Sequence, residues 1–399
     1  MTESPAISGF VKSEFEAVRK AFIENFSRRN ELGAACCIYH HGEKVVDLWG
    51  GVRNESTGEP WEEDTMVIVF STTKGLSGLT MALANSRGLF DYDERISTYW
   101  PEFAQQGKDK ITIRQLLAHQ AGLYAFDEMA DRSLIADLDR LAVVLARQKP
   151  AYEPGTRQVY HGMTLGYYES ELLRRVDPKG RSIGQYFQDE IATPLGLDFY
   201  IRLPEEIPNS RLATLRLPKA SLRSMFAVPF PLFLAAINPR SAIRRCLVGS
   251  MFPLDKERVY ARNFEVPSGG GVGTARAIAH AYSVFATGGK ELRLREETLR
   301  ELMAMPVAPM HGFRDGALKT EIRFSLGLAK PDPKKPYGHL SSFGVPGSGG
   351  SFGFADPEAE IGYGYVLNGM GARSLEDPRD HALRKALYHS IGETDLYPE

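Results

Sequence analysis

The chain has 399 residues, 43% hydrophobic and 25% charged, with a formal charge of −2. That is enough apolar material for a large core in one or two domains, and the balanced charge gives no reason to expect nucleic acid as a partner. Three cysteines are no disulfide framework, and "MTESPAISGFVKSEFEAV" has no basic start followed by an apolar segment, so the expected location is cytoplasmic.

The first predicted element is an amphipathic helix over Ser13 to Arg29, "SEFEAVRKAFIENFSRR". "GAACCIYHHGEKVVDLWGGV" then reads as a β-hairpin with His41-Gly42 in its turn. Cys36 and Cys37 fall in a strand. His40 and His41 are turn residues, with no ligand partner at zinc-like spacing.

"VFSTTKGLSGLTMALA" follows, from Val69 to Ala84. Ser71 and Lys74 form the only S-x-x-K of the chain, although 26 serines and 16 lysines would give about one by chance. The surroundings say more than the pattern. "MVIVF" is an apolar run ending in a polar turn, and Leu76, Leu79 and Leu83 continue with helical spacing. Ser71 is therefore predicted at a helix N-terminus, with Lys74 one turn on and on the same face. Two readings stand at this point. One is an N-cap serine with a solvated lysine. The other is a nucleophile with its base, where burial lowers the lysine pKa and the helix N-terminus offers N–H groups to an oxyanion.

From about residue 80 to 300 the pattern is mainly helical, with loops rich in Pro and Gly. "TIRQLLAHQAGL" predicts a capped helix from Thr112 that ends at Gly122, with His119 as a structural hydrogen-bonder. "EPGTRQVYHGMTLGYY" places Tyr160 between a Pro-Gly turn and a helix, either as a core tyrosine or as a proton relay for a serine–lysine pair. The apolar run "MFAVPFPLFLAAI", Met225 to Ile237, is too short to span a bilayer, so no membrane span is expected. It lines an acyl site or belongs to the core. Arg28-Arg29, Arg174-Arg175 and Arg244-Arg245 read as polar helix faces. "PSGGGVGTARAIAHAY" is a glycine-rich loop opening a helix with Thr274 as N-cap, and it carries neither common phosphate-binding pattern.

After about residue 305 the strands return. Gly349 to Asn368 is a predicted hairpin turning near Asp356-Pro357, and "DPRDHALRKALYHSIG" closes the chain as a helix. The result is an α/β (α+β) expectation: an antiparallel sheet from residues 1–80 and 305–399, flanked by helices, with a mainly helical domain inserted over 81–304. Gly349-Gly350-Ser351-Phe352-Gly353 also matches the G-x-S-x-G nucleophile elbow. That motif needs a helix after its serine, and a strand-like run follows Ser351, so Ser351 is not the expected nucleophile.

In order along the chain, Ser71-Thr72-Thr73-Lys74, Tyr160-His161-Gly162, "LLAHQAGL", "VGTARAIAHAY" and "GGSFGFADPE" resemble the penicillin-recognising serine hydrolases. The nearest resemblance is to the class C β-lactamase-like family VIII carboxylesterases, and it covers nearly the whole chain. It implies the β-lactamase/DD-peptidase-like fold, a serine esterase, and no metal or organic cofactor. It implies Ser71 as nucleophile, Lys74 and Tyr160 as the proton-transfer pair, and the backbone N–H groups of Ser71 and Ser348 as the oxyanion hole. Two departures bear on the substrate. The second motif ends in Gly162 where β-lactamases carry Asn or Ser. The third motif aligns as Val345-Pro346-Gly347 where relatives carry Lys, His or Trp, so no cation is offered to a substrate carboxylate. A small neutral ester is the expected substrate. A β-lactamase or D-amino-acid peptidase or amidase, and a catalytically inactive scaffold or binding protein, are the competing readings.

Overall fold

In the computed structural model the described residues are 6–127, 130–218, 238, 240–247, 259–371 and 376–397. The apolar run Met225 to Ile237 lies outside them.

The main sheet has nine strands. From the N-terminal part come β1 (Ile7–Val11), β2 (Gly33–His40), β3 (Glu43–Asn54) and β4 (Glu59–Pro60). A second, three-stranded sheet joins β5 (Val67–Ile68), β6 (Phe199–Tyr200) and β7 (Val272–Gly273) in the order β5-β7-β6. The C-terminal part adds β8 (Arg323–Ser325), β9 (Leu328–Lys330), β10 (Phe343–Pro346), β11 (Phe352–Asp356) and β12 (Ile361–Leu367) to the main sheet. The strand order is β1-β3-β2-β12-β11-β10-β9-β8, with β4 beside β3, and the pairs are antiparallel. Both ends of the chain thus meet in one sheet, along β2 and β12.

The five longest helices among the described residues are α1 (Glu16–Arg28), α2 (Thr72–Ser86), α3 (Thr164–Val176), α4 (Ala275–Ala286) and α5 (Pro378–Ser390). The period-two pattern of the strands decides which face each helix covers. In β12, Ile361, Tyr363, Tyr365 and Leu367 point to the side of α1 and α5, where they pack with Phe22, Leu383 and Leu387. Gly362 and Gly364 point to the other side, where α4 lies directly on the sheet. A Cβ on Gly362 would stand 2.3 Å from the Ser283 nitrogen, and one on Gly364 2.3 Å from the Ala275 carbonyl. The glycines of "IGYGYVL" are there so that a helix can approach the backbone. On that same side α2 packs on β10 and β11, and the helical middle of the chain continues the core.

The local expectations are largely met. A short 3-10 turn, Ser13–Phe15, precedes α1. The first hairpin turns at His41 and Gly42, both at positive φ, as a tight two-residue turn requires. The Thr274 side chain caps α4 by accepting from the Ala277 N–H. The helix after Thr112 is shorter than predicted. Thr112 starts it with a capping box, but it spans only Ile113–Leu117. His119 takes a left-handed conformation, and its carbonyl accepts from the Val159 N–H, while Gln120 O accepts from Gly155 N–H. Pairing with the segment that carries Tyr160 wins over continuing the helix.

Candidate active site

Ser71 stands at the N-cap position of α2 but does not act as a cap: its side chain makes no capping hydrogen bond. Phe70, just before it, has φ of 47°. A bulky residue in that region is strained, and such strain is tolerated where the surroundings hold a group in place. The turn directs the Ser71 hydroxyl to Tyr160, with Oγ and Oη 2.8 Å apart.

Lys74 is fully buried. Its Nζ donates to the carbonyls of Gly162 at 2.6 Å and Ser268 at 2.7 Å, and lies 3.4 Å from Ser71 Oγ. It also sits 5.0 Å from the centre of the Tyr160 ring. Burial disfavours the ammonium and lowers its pKa from 10.5 to about 7, with the Glu169 carboxyl pulling the other way. The geometry suits a neutral amine. Nζ faces three acceptors, two carbonyls and the Ser71 hydroxyl; as a neutral amine it keeps two N–H bonds to the carbonyls and can turn its lone pair to the serine. The solvated-lysine reading of the sequence has no place in this arrangement.

The two threonines between Ser71 and Lys74 tie the helix start to its neighbours. Thr72 Oγ1 is 3.2 Å from Ser351 Oγ, and Thr73 Oγ1 accepts from the Gly271 N–H at 2.9 Å. The S-T-T-K run thus ties α2 to three segments: the one carrying Tyr160 and Gly162, the Pro267–Gly271 loop and the start of β11. The Pro267–Gly271 loop delivers the Ser268 carbonyl to Lys74. The backbone of Gly162 does the same at the position where a side chain was noted as missing.

Tyr160 is almost buried, stacked on Phe324 with centroids 5.6 Å apart. Burial raises its pKa well above the usual phenol range, and the bond to Ser71 partly offsets this. Two histidines fix its backbone. His119 Nδ1 accepts from the His161 N–H at 2.9 Å, so His119 carries its ring proton on Nε2. His161 Nδ1 lies 2.8 Å from Val159 O, and its Nε2 accepts from the Leu123 N–H. Burial pushes the His161 pKa down to about 3, so it stays neutral and acts as a strut.

The loop after β10 packs against the start of α2. A Cβ on Gly347 would stand 2.2 Å from the Val69 carbonyl and 2.8 Å from Thr72 Oγ1, so only glycine fits there. Ser348 follows and is exposed. Among the described residues the backbone N–H groups of Ser71 and Ser348 donate to no protein acceptor. Ser351 is 4% exposed, donates to the Val69 carbonyl at 2.9 Å, and is followed by β11 instead of a helix. Val345 is 2% exposed, with its side chain toward α2: a Cβ on Gly75 would be 3.7 Å from Val345 Cβ. The sequence expectation set Val345 against the substrate, but it is a core residue behind the site. His41 binds Glu360 on the surface.

Sequence reasoning missed three parts of this site: the two backbone carbonyls, which have no side-chain signature, and Glu169. Glu169 did leave a signal. It interrupts the apolar stripe Leu165, Tyr168, Leu172 of α3.

Comparison with known proteins agrees with the fold. The Beta-lactamase family model matches residues 18–388. Esterase/beta-lactamase LipL of Mycobacterium tuberculosis is 29% identical over 96% of this chain and 88% of its own length. The crystal structure of a family VIII carboxylesterase is 33% identical, with a TM-score of 0.84 over 96% of this chain and 100% of that one. A penicillin-binding protein homologue from Caulobacter crescentus is 34% identical, with a TM-score of 0.82 over 96% and 100% of the two chains. The chain belongs to the beta-lactamase family, as a serine hydrolase on the fold it shares with family VIII carboxylesterases.

Proposed function

We propose that the protein is a carboxylesterase that hydrolyses small neutral esters through an acyl-enzyme on Ser71. One observation carries this reading: a buried lysine with two N–H groups held by carbonyls and its third direction on Ser71 Oγ, which also contacts Tyr160 Oη. Lys74 takes the Ser71 proton as Oγ attacks the ester carbonyl. The C=O electrons move to the oxygen, which the N–H groups of Ser71 and Ser348 stabilise. As the tetrahedral intermediate collapses, the C–O bond to the alcohol breaks, and Lys74, with Tyr160, returns the proton to the leaving oxygen. Water then attacks the acyl carbonyl, the same pair takes its proton and returns it to Ser71 Oγ as the acyl C–Oγ bond breaks, and the carboxylic acid leaves.

With Val345 turned into the core behind the site, its strand brings no cation to a substrate carboxylate, and an unpaired carboxylate entering the site would lose water without gaining a partner. That supports short to medium neutral acyl esters over β-lactams. We place the reaction in the cytoplasm, consistent with three buried cysteines that form no disulfide among the described residues. Among the described residues no helix is long and apolar enough to cross a membrane. The test is kcat/KM for p-nitrophenyl esters of increasing chain length beside a chromogenic cephalosporin. The expected result is efficient ester turnover and weak or no cephalosporin turnover. Preference for the cephalosporin would overturn the esterase reading.

A further inference from the structure

Glu169 lies on α3, nine residues after Tyr160 in the chain. It is fully buried, and neither carboxyl oxygen has a hydrogen-bond partner among the described residues. Its neighbours on the helix are Tyr168, Leu172 and Leu173, also buried. A leucine would fill such a position at no electrostatic cost, whereas a carboxyl there makes no structural bond. The space around it is shaped for it. Gly327, in the turn between β8 and β9, is so close that a Cβ would stand 3.0 Å from Glu169 Oε1 and 3.4 Å from the Gly78 Cα. Gly78 is one helical turn beyond Lys74. The carboxyl is thus wedged between α3, the β8–β9 turn and α2, on the stretch of α2 that carries the lysine.

The charges around the pair are few. Lys74 faces Glu169 from α3, Cys246 from the short Ala242–Leu247 helix, His119 and His161 from the two segments beside Tyr160, and Tyr160 itself. The histidines are neutral through burial, and burial also holds the Cys246 thiol protonated by raising its pKa to about 12. Burial raises the Glu169 pKa to about 8, and Lys74 is the charge that draws it back down. Each of the two groups is driven toward its neutral form by burial and toward its charged form by the other. Among the described residues no other carboxylate acts on Lys74 in this way.

We infer that Glu169 is the buried counter-ion of Lys74, a positioning residue whose carboxylate stabilises the ammonium that forms when Lys74 takes the Ser71 proton. This rests on the reading of Lys74 as the base. The proton moves from Ser71 Oγ to Lys74 Nζ and back to the leaving alcohol. Glu169 exchanges none, and makes the lysine a stronger base by favouring its protonated form.

The test is the pH profile of kcat/KM for p-nitrophenyl butyrate in the native enzyme, Glu169→Gln and Glu169→Leu, with folding checked by circular dichroism. Both substitutions remove the charge, so either folded variant decides. Without the counter-ion the lysine pKa falls. The acidic limb should move to lower pH by about one unit or more, and the plateau kcat should drop roughly 10-fold because a weaker base transfers the proton less well. KM should change little. A folded variant whose acidic limb is unmoved would show that the carboxyl only fills space and would overturn the inference. Lys74→Met measured alongside separates the two claims. If it is inactive while the Glu169 variants keep the native limb, the counter-ion alone is refuted. If it retains activity and its limb, the base assignment fails and the counter-ion with it.

Discussion

Replacing Lys74 by methionine removes the base and a buried charge together, and the two consequences have opposite signs. Activity should fall by about 10²-fold or more in kcat, the usual scale for losing a positioned acid–base group. Stability should move the other way at low pH. The lysine pKa drops from 10.5 to about 7 on burial. At about 1.4 kcal/mol per pKa unit, the folded protein carries a penalty of roughly 5 kcal/mol when that lysine is charged. Methionine keeps the volume filled. It leaves the carbonyls of Gly162 and Ser268 without their donor, at about 1–3 kcal/mol for each. The balance at about pH 6 lies between a loss of roughly 1 and a gain of roughly 3 kcal/mol. Its change with pH is the sharper quantity. Because the folded-state pKa is lowered, the native enzyme's penalty is complete below about pH 7 and disappears as pH rises toward 10.5. Glu169 acts in the same direction, since losing its cation pushes its raised pKa further up and penalises the variant at alkaline pH. Lys74→Met should therefore be within about 1 kcal/mol of the native enzyme or more stable at about pH 6, and lose several kcal/mol of that comparison by about pH 10. Urea unfolding followed by tryptophan fluorescence at the two pH values measures this. A deficit already present at pH 6 that does not change by pH 10 would refute the reasoning.

Other outcomes follow from the same geometry. Ser71→Ala should abolish ester hydrolysis while Ser351→Ala retains most of it, because Ser351 only bonds the Val69 carbonyl and the Thr72 hydroxyl; steady-state rates of the two folded variants decide. Tyr160→Phe should cut kcat by about 10²-fold, and its loss combined with Lys74→Ala should be less than multiplicative because the two act as one unit. In the native enzyme kcat/KM for a neutral ester should fall as pH drops through about 7, where Lys74 becomes protonated; a flat profile from pH 5 to 8 would argue against lysine as the base. Val345→Lys would bury a cation against Gly75, so it should lower stability by several kcal/mol; an unchanged Tm with new activity on anionic esters would show that the position opens to substrate.

The fold was legible where period and punctuation agreed. Alternation in "IGYGYVL", the His41-Gly42 turn and the Thr274 cap each announce one local structure, and the structure contains it. The helix after Thr112 was overextended because its end is set by tertiary pairing, His119 with Val159, that no local propensity reports. The serine–lysine–tyrosine cluster was legible as a set of residue types in order. Its geometry was not, because the groups that hold Lys74 are main-chain carbonyls that any residue possesses. Val345 shows the opposite failure. The motif position marked it as facing the substrate, while strand alternation turns its side chain into the core beside α2.

The central claim is that Ser71 is acylated. The most direct measurement is intact-protein and peptide mass spectrometry after treatment with a fluorophosphonate, in the native enzyme and in Ser71→Ala. The account predicts one adduct per chain, on the peptide that contains Ser71, and none in the variant. An adduct on Ser351, or unimpaired ester hydrolysis with Ser71 unmodified, would contradict it.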